Sequence, residues 1–233
     1  MKNKIVFLNG NEISFPDPLY GPKDKPIAIG GDLKPERIIH AYKSGIFPWY
    51  DSNSPILWWS PDPRFVLLIN NLHISKSLSK KLKKNLFALT VDESFEDVIT
   101  NCAEIKRNNS TGTWITSEMI KAYVELNKMG LAHSIEARKD GKLVGGFYGV
   151  CIGSIFFGES MFHIEEDASK YAFANFVLKL KEISNIDIID CQVYTDYLAS
   201  FGATYISRTQ YIKLLSERLN ISNKIKDWKT LFH

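Results

Sequence analysis

Cysteine is scarce: 3 in 233 residues, Cys102, Cys151 and Cys191, far apart and odd in number. With no CxxC pair and no Cys/His cluster at zinc-ligand spacing, a disulfide scaffold and a structural zinc module are excluded. The three are read as small apolar core residues. No stretch approaches the roughly 20 apolar residues of a membrane-spanning helix. The opening MKNKIVFLNGNE has an apolar run only from Ile5 to Leu8, short of the roughly 7 residues of a secretory signal, so the chain is expected to stay in the cytoplasm with no membrane contact. Net charge is slight: 29 Lys+Arg against 26 Asp+Glu gives +3. Any basic surface must therefore be local. GxxxxGK[ST], GxSxG and HExxH are all missing, which removes the phosphate loop, the nucleophile elbow and the zinc helix.

What is present is aromatic and unevenly punctuated. Aromatic residues make up 12%, and four of the 5 tryptophans stand at Trp49, Trp58, Trp59 and Trp114, marking either core or a stacking surface. All 9 prolines fall at or before Pro63. A helix from Pro35 to Lys43, with Pro35 in its first turn and Gly45 as its stop, is the one regular element predicted there. Residues 1–63 are read as a small N-terminal α/β domain and 64–233 as a second domain. In the second, Arg64–Ile69 and Leu86–Val91 read as strands. Helices are predicted over His73–Lys84 and over Ser117–Met129, the latter N-capped by Ser117. From Ala132 to Phe162 three strands follow in succession, turning at Lys139–Lys142 and Cys151–Gly153. Asp167 is expected to cap a helix from Ala168 to Ile183, and Ile186–Val193 is a short apolar strand. The class is α+β on a mixed sheet.

This order resembles a GNAT-type acyltransferase, in which a cofactor pyrophosphate sits on the turn before the central helix. Here that turn reads HIEEDASK, and Glu165, Glu166 and Asp167 disfavour coenzyme A there. Two polar features interrupt otherwise apolar strands: Glu159 in FFGESMF, and Asp190 with Gln192 in IIDCQVY. Two residues apart, Asp190 and Gln192 should leave the same face of the sheet. Buried polar groups need partners, so these form either a structural network or the polar floor of an acyl-transfer site. Lys76, Lys80, Lys83 and Lys84 share a helix with no acid, which is either a solvated face or a phosphate-backbone contact. From the residues alone, a coenzyme A-dependent N-acetyltransferase and a non-catalytic RNA- or peptide-binding module stay open.

Eight motifs then occur in order: GGDL (30–33), GIFPWY (45–50), WWSPDPR (58–64), GTWIT (112–116), HSIE (133–136), LVGGFYGV (143–150), FFGESMF (156–162) and IDCQ (189–192). Together they resemble the bacterial leucyl/phenylalanyl-tRNA–protein transferases over nearly the whole chain. The resemblance implies a GNAT-like second domain. It also implies transfer of Leu or Phe, less readily Met, from aminoacyl-tRNA to acceptor proteins with N-terminal Arg or Lys. The product would carry a destabilising N-terminus, and no metal, organic cofactor or ATP is implied. It assigns catalysis to Asp190, Gln192 and Glu159, and the donor's adenosine and aminoacyl end to Trp49 and Trp114. Phe156, Met161 and Ile189 would line the side-chain pocket, together with Phe147. The basic cluster Lys76, Lys80, Lys83 and Lys84 would hold tRNA. Phe147 stands where some relatives carry Met, and Thr195 and Asp167 where Asn is common.

Overall fold

A computed structural model describes residues 4–10, 12–105 and 114–232. The first two residues of GTWIT, Gly112 and Thr113, lie outside them. The chain opens with β1 (Val6–Leu8), β2 (Ala28–Gly30), α1 (Pro35–Lys43), β3 (Phe47–Pro48) and β4 (Leu57–Trp59). These strands form a sheet of order β1-β2-β4-β3. The remainder runs β5 (Arg64–Leu68), α2 (Lys76–Leu82), β6 (Ala88–Val91), α3 (Phe95–Glu104), α4 (Ser117–Lys128), β7 (Ala132–Lys139), β8 (Lys142–Ile152), β9 (Ile155–His163), α5 (Ala168–Ile183), β10 (Ile188–Gln192), α6 (Asp196–Ser200), β11 (Thr204–Ile206) and α7 (Arg208–Leu219). Its seven-stranded sheet has the order β11-β5-β10-β9-β8-β7-β6, antiparallel except where β10 runs parallel to β9. The observed class is α+β, with a small N-terminal sheet and a larger mixed one.

Alternation along the central strands separates two cores, one on each face of the large sheet. Phe156, Ile189, Phe147 and the apolar side of α5 belong to one. Phe157, Ile188 and Tyr148 belong to the other, which continues without a break into Ile27, Ile38, Tyr42 and Trp58 of the N-terminal segment. The small sheet is therefore packed on the large one. Glycine permits the closest approach: at Gly45, φ +75°, an added Cβ would lie 2.5 Å from Ile212 Cδ1 and 3.0 Å from the Tyr211 ring, so only hydrogen lets α7 close against the end of α1.

Several local expectations need correction. The lysine helix is shorter than predicted: Ser75 caps it, and Lys83 and Lys84 lie beyond its end. Thr116, not Ser117, caps α4, accepting from the Met119 amide. Asp167 stands at the N-cap position of α5 but makes no cap bond, because its φ of 63° is left-handed. Among residues with a side chain Asn and Asp tolerate that region best, so backbone shape, rather than capping, suits Asp to this position. Thr195 caps α6, accepting from the Leu198 amide, a task Asn performs equally well.

Arg208, buried at the start of α7, holds the proline-rich segment in place. Its guanidinium donates to the carbonyls of Gly21, Pro22 and Ser60 at 2.7, 2.8 and 2.6 Å. Three buried carbonyls lose their donor if it is removed. Arg208→Ala should therefore cost about 3 kcal/mol in urea unfolding, and limited proteolysis should then cut first within residues 16–26.

Candidate active site

The site is made where β10 parts from β9. The two strands pair in parallel through Asp190↔Phe157, and each then accommodates one extra residue. Against β8, Tyr148↔Ser160 is followed by Gly149↔Gly158, which leaves Glu159 bulged out of β9. Against β5, Asp190↔Val66 is followed by Gln192↔Phe65, which leaves Cys191 as the extra residue of β10. Bulges bend a strand and re-aim its side chains. Here they turn two strands toward each other, and Gln192 Nε2 donates to Glu159 Oε1 at 2.7 Å. Gln192 itself sits at φ 61°, a strain of order 1 kcal/mol or more that the surrounding bonds must hold. Gly149 is needed opposite the bulge, since a Cβ there would collide with the Phe157 carbonyl oxygen.

The bulge overturns the expectation that Asp190 and Gln192 share a face. Their cross-strand partners, Val66 and Phe65, are adjacent and belong to opposite cores. Asp190 is fully buried and turned away from Gln192. Its carboxylate takes Arg64 Nε at 2.8 Å, Arg64 Nη2 at 2.6 Å and the Tyr211 hydroxyl at 2.6 Å. The Arg64 guanidinium lies 4.7 Å from the Phe47 ring centre and 4.5 Å from that of Tyr211. Burial alone would pull Arg64 down, but the charge of Asp190, the Tyr211 phenol and the hydrogen bonds to both together hold the guanidinium above its ordinary pKa. Asp190 reaches Gln192 only through the backbone, its Oδ1 accepting the Gln192 amide at 2.9 Å.

Glu159 has a different shell. The Tyr42 hydroxyl is 2.6 Å from Oε1, that of Tyr123 is 3.1 Å from Oε2, and the two hydroxyls are 2.5 Å apart. Burial pushes the carboxyl up to about 8, more than the three hydrogen-bond donors offset, and the Asp190 charge adds to the rise. Burial likewise raises Tyr42 and Tyr123 well above the usual phenol.

Glu159 and Gln192 face an apolar cavity of about 530 Å³. Phe147, Phe156, Phe173, Met161 and Ile189 line it, with Trp49 and Trp114 beside it. Phe147 meets Phe156, Phe173 and Phe176 edge to face at 6.3, 5.6 and 5.3 Å between ring centres. Trp49 and Trp114 also line an open groove of about 1850 Å³ with Trp59, whose indole N–H donates to the Trp49 carbonyl at 2.7 Å. Trp58, by contrast, is core, donating to the Gly30 carbonyl. The structure thus brings together Glu159, Gln192, Trp49, Trp114, Phe147, Phe156, Met161 and Ile189, and sets Asp190 behind them. Sequence reasoning missed Tyr42, Tyr123, Arg64 and Tyr211. Arg64 ends the WWSPDPR motif, but the tyrosines occupy helix positions that read only as core.

Lys76, Lys80, Lys83 and Lys84 are exposed, whereas Lys81 binds Asp167 at 2.5 Å and Glu166 at 3.5 Å. Lys139 pairs with Glu165 at 2.7 Å. The acidic turn before α5 is therefore largely neutralised, not the bare anionic site expected from its sequence. Cys102, Cys151 and Cys191 are buried thiols. Among the described residues no group of three or more His, Cys, Asp or Glu could hold a metal ion, and no helix is long and apolar enough to cross a membrane.

Comparison with known proteins bears on the same residues. The model of the leucyl/phenylalanyl-tRNA protein transferase family matches residues 66–216, and that of the family's N-terminal domain matches 31–62. A leucyl/phenylalanyl-tRNA–protein transferase of Saccharophagus degradans is 50% identical over 218 residues, covering 93% of this chain and 89% of that one. Relatives of the same name from Anaeromyxobacter sp. strain K and Legionella pneumophila strain Corby are 48% and 49% identical, over 92% of this chain and 91% and 96% of theirs. Identity near one half along almost the whole length, with both family models in register, carries one conclusion: the chain belongs to the leucyl/phenylalanyl-tRNA–protein transferase family.

Proposed function

We propose that this enzyme moves Leu or Phe, and less readily Met, from aminoacyl-tRNA to the α-amine of an acceptor protein that begins with Arg or Lys. The acceptor would thereby be marked for degradation in the cytoplasm. The observation that carries the reading is the Glu159–Gln192 pair facing an apolar cavity flanked by two tryptophans. Residues 1–63 and 64–233 serve as its two domains, the second GNAT-like. The gap where β10 leaves β9 receives the aminoacyl adenosine.

In this mechanism the Leu or Phe side chain enters the cavity among Phe147, Phe156, Met161 and Ile189. The 3′ adenosine lies against Trp49 and Trp114, because indole faces stack bases. Lys76, Lys80, Lys83 and Lys84 contact the tRNA backbone. The acceptor's α-amine attacks the ester carbonyl, the N–C bond forms, and the ribose 3′-oxygen leaves with the proton lost by nitrogen. The ester is already activated, so no cofactor is required. Gln192 is the residue that touches the reacting groups: one N–H of its amide is bound to Glu159, and the other N–H and the carbonyl oxygen serve the oxyanion and the amine. Asp190 acts through Gln192, fixing its strained backbone, and no activated nucleophile calls for an acyl-enzyme.

The test is incubation with labelled Leu-tRNA and a peptide beginning with Arg. Label should move to the peptide, and tRNA binding without transfer would point to a binding module. Gln192→Ala should lower kcat/KM on the order of 10²-fold, the effect of one positioned donor, with little change in urea unfolding. Asp190→Ala should instead destabilise by about 3–5 kcal/mol, because it strands the Arg64 charge in the core. Transfer should fall with it.

Changing Lys80, Lys83 and Lys84 together to Ala should weaken tRNA binding and flatten its dependence on salt. The log–log slope should shrink by about 0.7–0.9 for each phosphate that is no longer neutralised. Transfer from a minimal aminoacyl adenosine should be almost unaffected. Equal losses with both donors would mean that these lysines are only a solvated surface.

A further inference from the structure

Family resemblance groups Glu159 with the catalytic residues, yet its hydrogen-bond geometry fixes its proton. Three oxygen–oxygen approaches close a ring: Tyr42 to Glu159 Oε1 at 2.6 Å, Tyr42 to Tyr123 at 2.5 Å and Tyr123 to Glu159 Oε2 at 3.1 Å. Each requires one hydrogen, and two phenols supply two. If Tyr42 serves Oε1 and Tyr123 serves Tyr42, an ionised Glu159 keeps Oε2, 3.1 Å from the fully buried Tyr123 phenol, with no donor from the ring, which is costly. If Tyr123 serves Oε2 instead, the one Tyr42 hydrogen covers only one of its two contacts, and either the hydroxyl oxygens 2.5 Å apart or Tyr42 and Oε1 2.6 Å apart face each other with lone pairs only. A proton on Oε2 satisfies all three in one direction: Glu159 donates to Tyr123, Tyr123 to Tyr42, and Tyr42 back to Oε1.

We propose that Glu159 rests as a neutral carboxylic acid and is a positioning residue for Gln192, not the base of the reaction. The groups that face it agree. Tyr42 of α1 and Tyr123 of α4 are phenols, Gln192 of β10 is neutral, and Asp190 of β10 repels a second charge. The nearby cation, Arg64, is committed to Asp190, and the further groups are Tyr50 beyond Tyr123, Tyr211 behind Arg64, and His163 on the cavity wall. A neutral acid forms no ion pair with an ammonium group, so the site does not trap the acceptor in its unreactive form. By accepting Gln192 Nε2–H, Glu159 also orients the amide so that its carbonyl oxygen is left to receive an N–H of the attacking amine. Glu159 itself gains and loses no proton overall: the one released by nitrogen ends on the ribose 3′-oxygen.

The role of Glu159 rests on the proposed transfer reaction, but its proton can be read without substrate. Infrared spectra of enzyme carrying 13C-glutamate should show a carboxylic-acid C=O band at about pH 7 that fades as pH rises through about 8 and is missing from Glu159→Gln, since a glutamate in water ionises near pH 4–5. In initial-rate assays corrected for spontaneous ester hydrolysis, wild-type kcat/KM should rise as the α-amine deprotonates and fall above about 8 as Glu159 ionises. Glu159→Gln keeps a neutral acceptor for Gln192; it should hold transfer within about fivefold at neutral pH and lose the alkaline fall. Absence of the band at about pH 7 overturns the proposal, whatever the variant does. A band accompanied by a folded Glu159→Gln enzyme that has lost more than about 100-fold in transfer overturns the positioning role. Should wild type itself transfer nothing, the transfer reading fails, and the infrared band still reports on Glu159 alone.

Discussion

The Arg64–Asp190 pair is the interaction on which the rest of the site depends. It is buried on both sides, so its Coulomb attraction must first repay a desolvation cost of several kcal/mol per ion. Its contribution is therefore better seen in geometry than in stability. Arg64 sits between the rings of Phe47 and Tyr211 and also donates to the Gly45 carbonyl. One guanidinium thus joins the loop after α1, the first strand of the large sheet and the last long helix. Asp190 spends its remaining capacity on the Gln192 amide, and this offsets the left-handed strain there. A side chain in the cavity is held in place by a charge outside it.

Two carboxylates about one strand register apart thus have opposite environments. Asp190 is given a fixed cation, the Arg64 guanidinium. Glu159 is given phenols, an amide and burial, and its pKa moves to about 8. Different surroundings are how one scaffold assigns different tasks to the same chemical group. A linkage follows. Because the folded-state value of Glu159 lies above its unfolded one, folding favours the protonated form. That contribution to stability is full below about pH 4 and is lost progressively as pH rises toward about 8.

Much of the fold was legible because its signals are local. Pro35 and Gly45 bracket α1, the Lys139–Lys142 turn sets the first hairpin, and the apolar side of α5 shows at helical spacing. The candidate site was legible as residues but not as geometry. Period-two alternation holds only while each residue has a cross-strand partner. Glu159 and Cys191 have none, so the face of Asp190 relative to Gln192 was read wrongly. Tyr42 and Tyr123 were invisible for another reason: a tyrosine on the buried side of a helix looks the same whether its hydroxyl completes a network or only fills space. Arg64 carried a signal, since a lone arginine opening an apolar strand must find an anion somewhere in the core.

The separation of charge from cavity also bears on selectivity. In the proposed reaction the cavity presents a mainly aromatic and aliphatic surface, with Glu159, Gln192, Ser160, Ser169, Thr195 and His163 among its polar members. Such a wall distinguishes donor side chains by shape and burial, at about 1–3 kcal/mol per methylene. Graded preference among Leu, Phe and Met follows, with exclusion of charged donors that would lose hydration without a partner. Phe147 makes the wall stiffer than the Met of relatives would, because its ring is held edge to face by Phe156, Phe173 and Phe176, whereas a thioether chain adapts. In the proposed reaction affinity for the tRNA body comes from elsewhere, a part proposed above for the exposed lysines at and just beyond α2. In the proposed reaction long-range charge thus serves affinity, and contact within the cavity serves the choice of side chain.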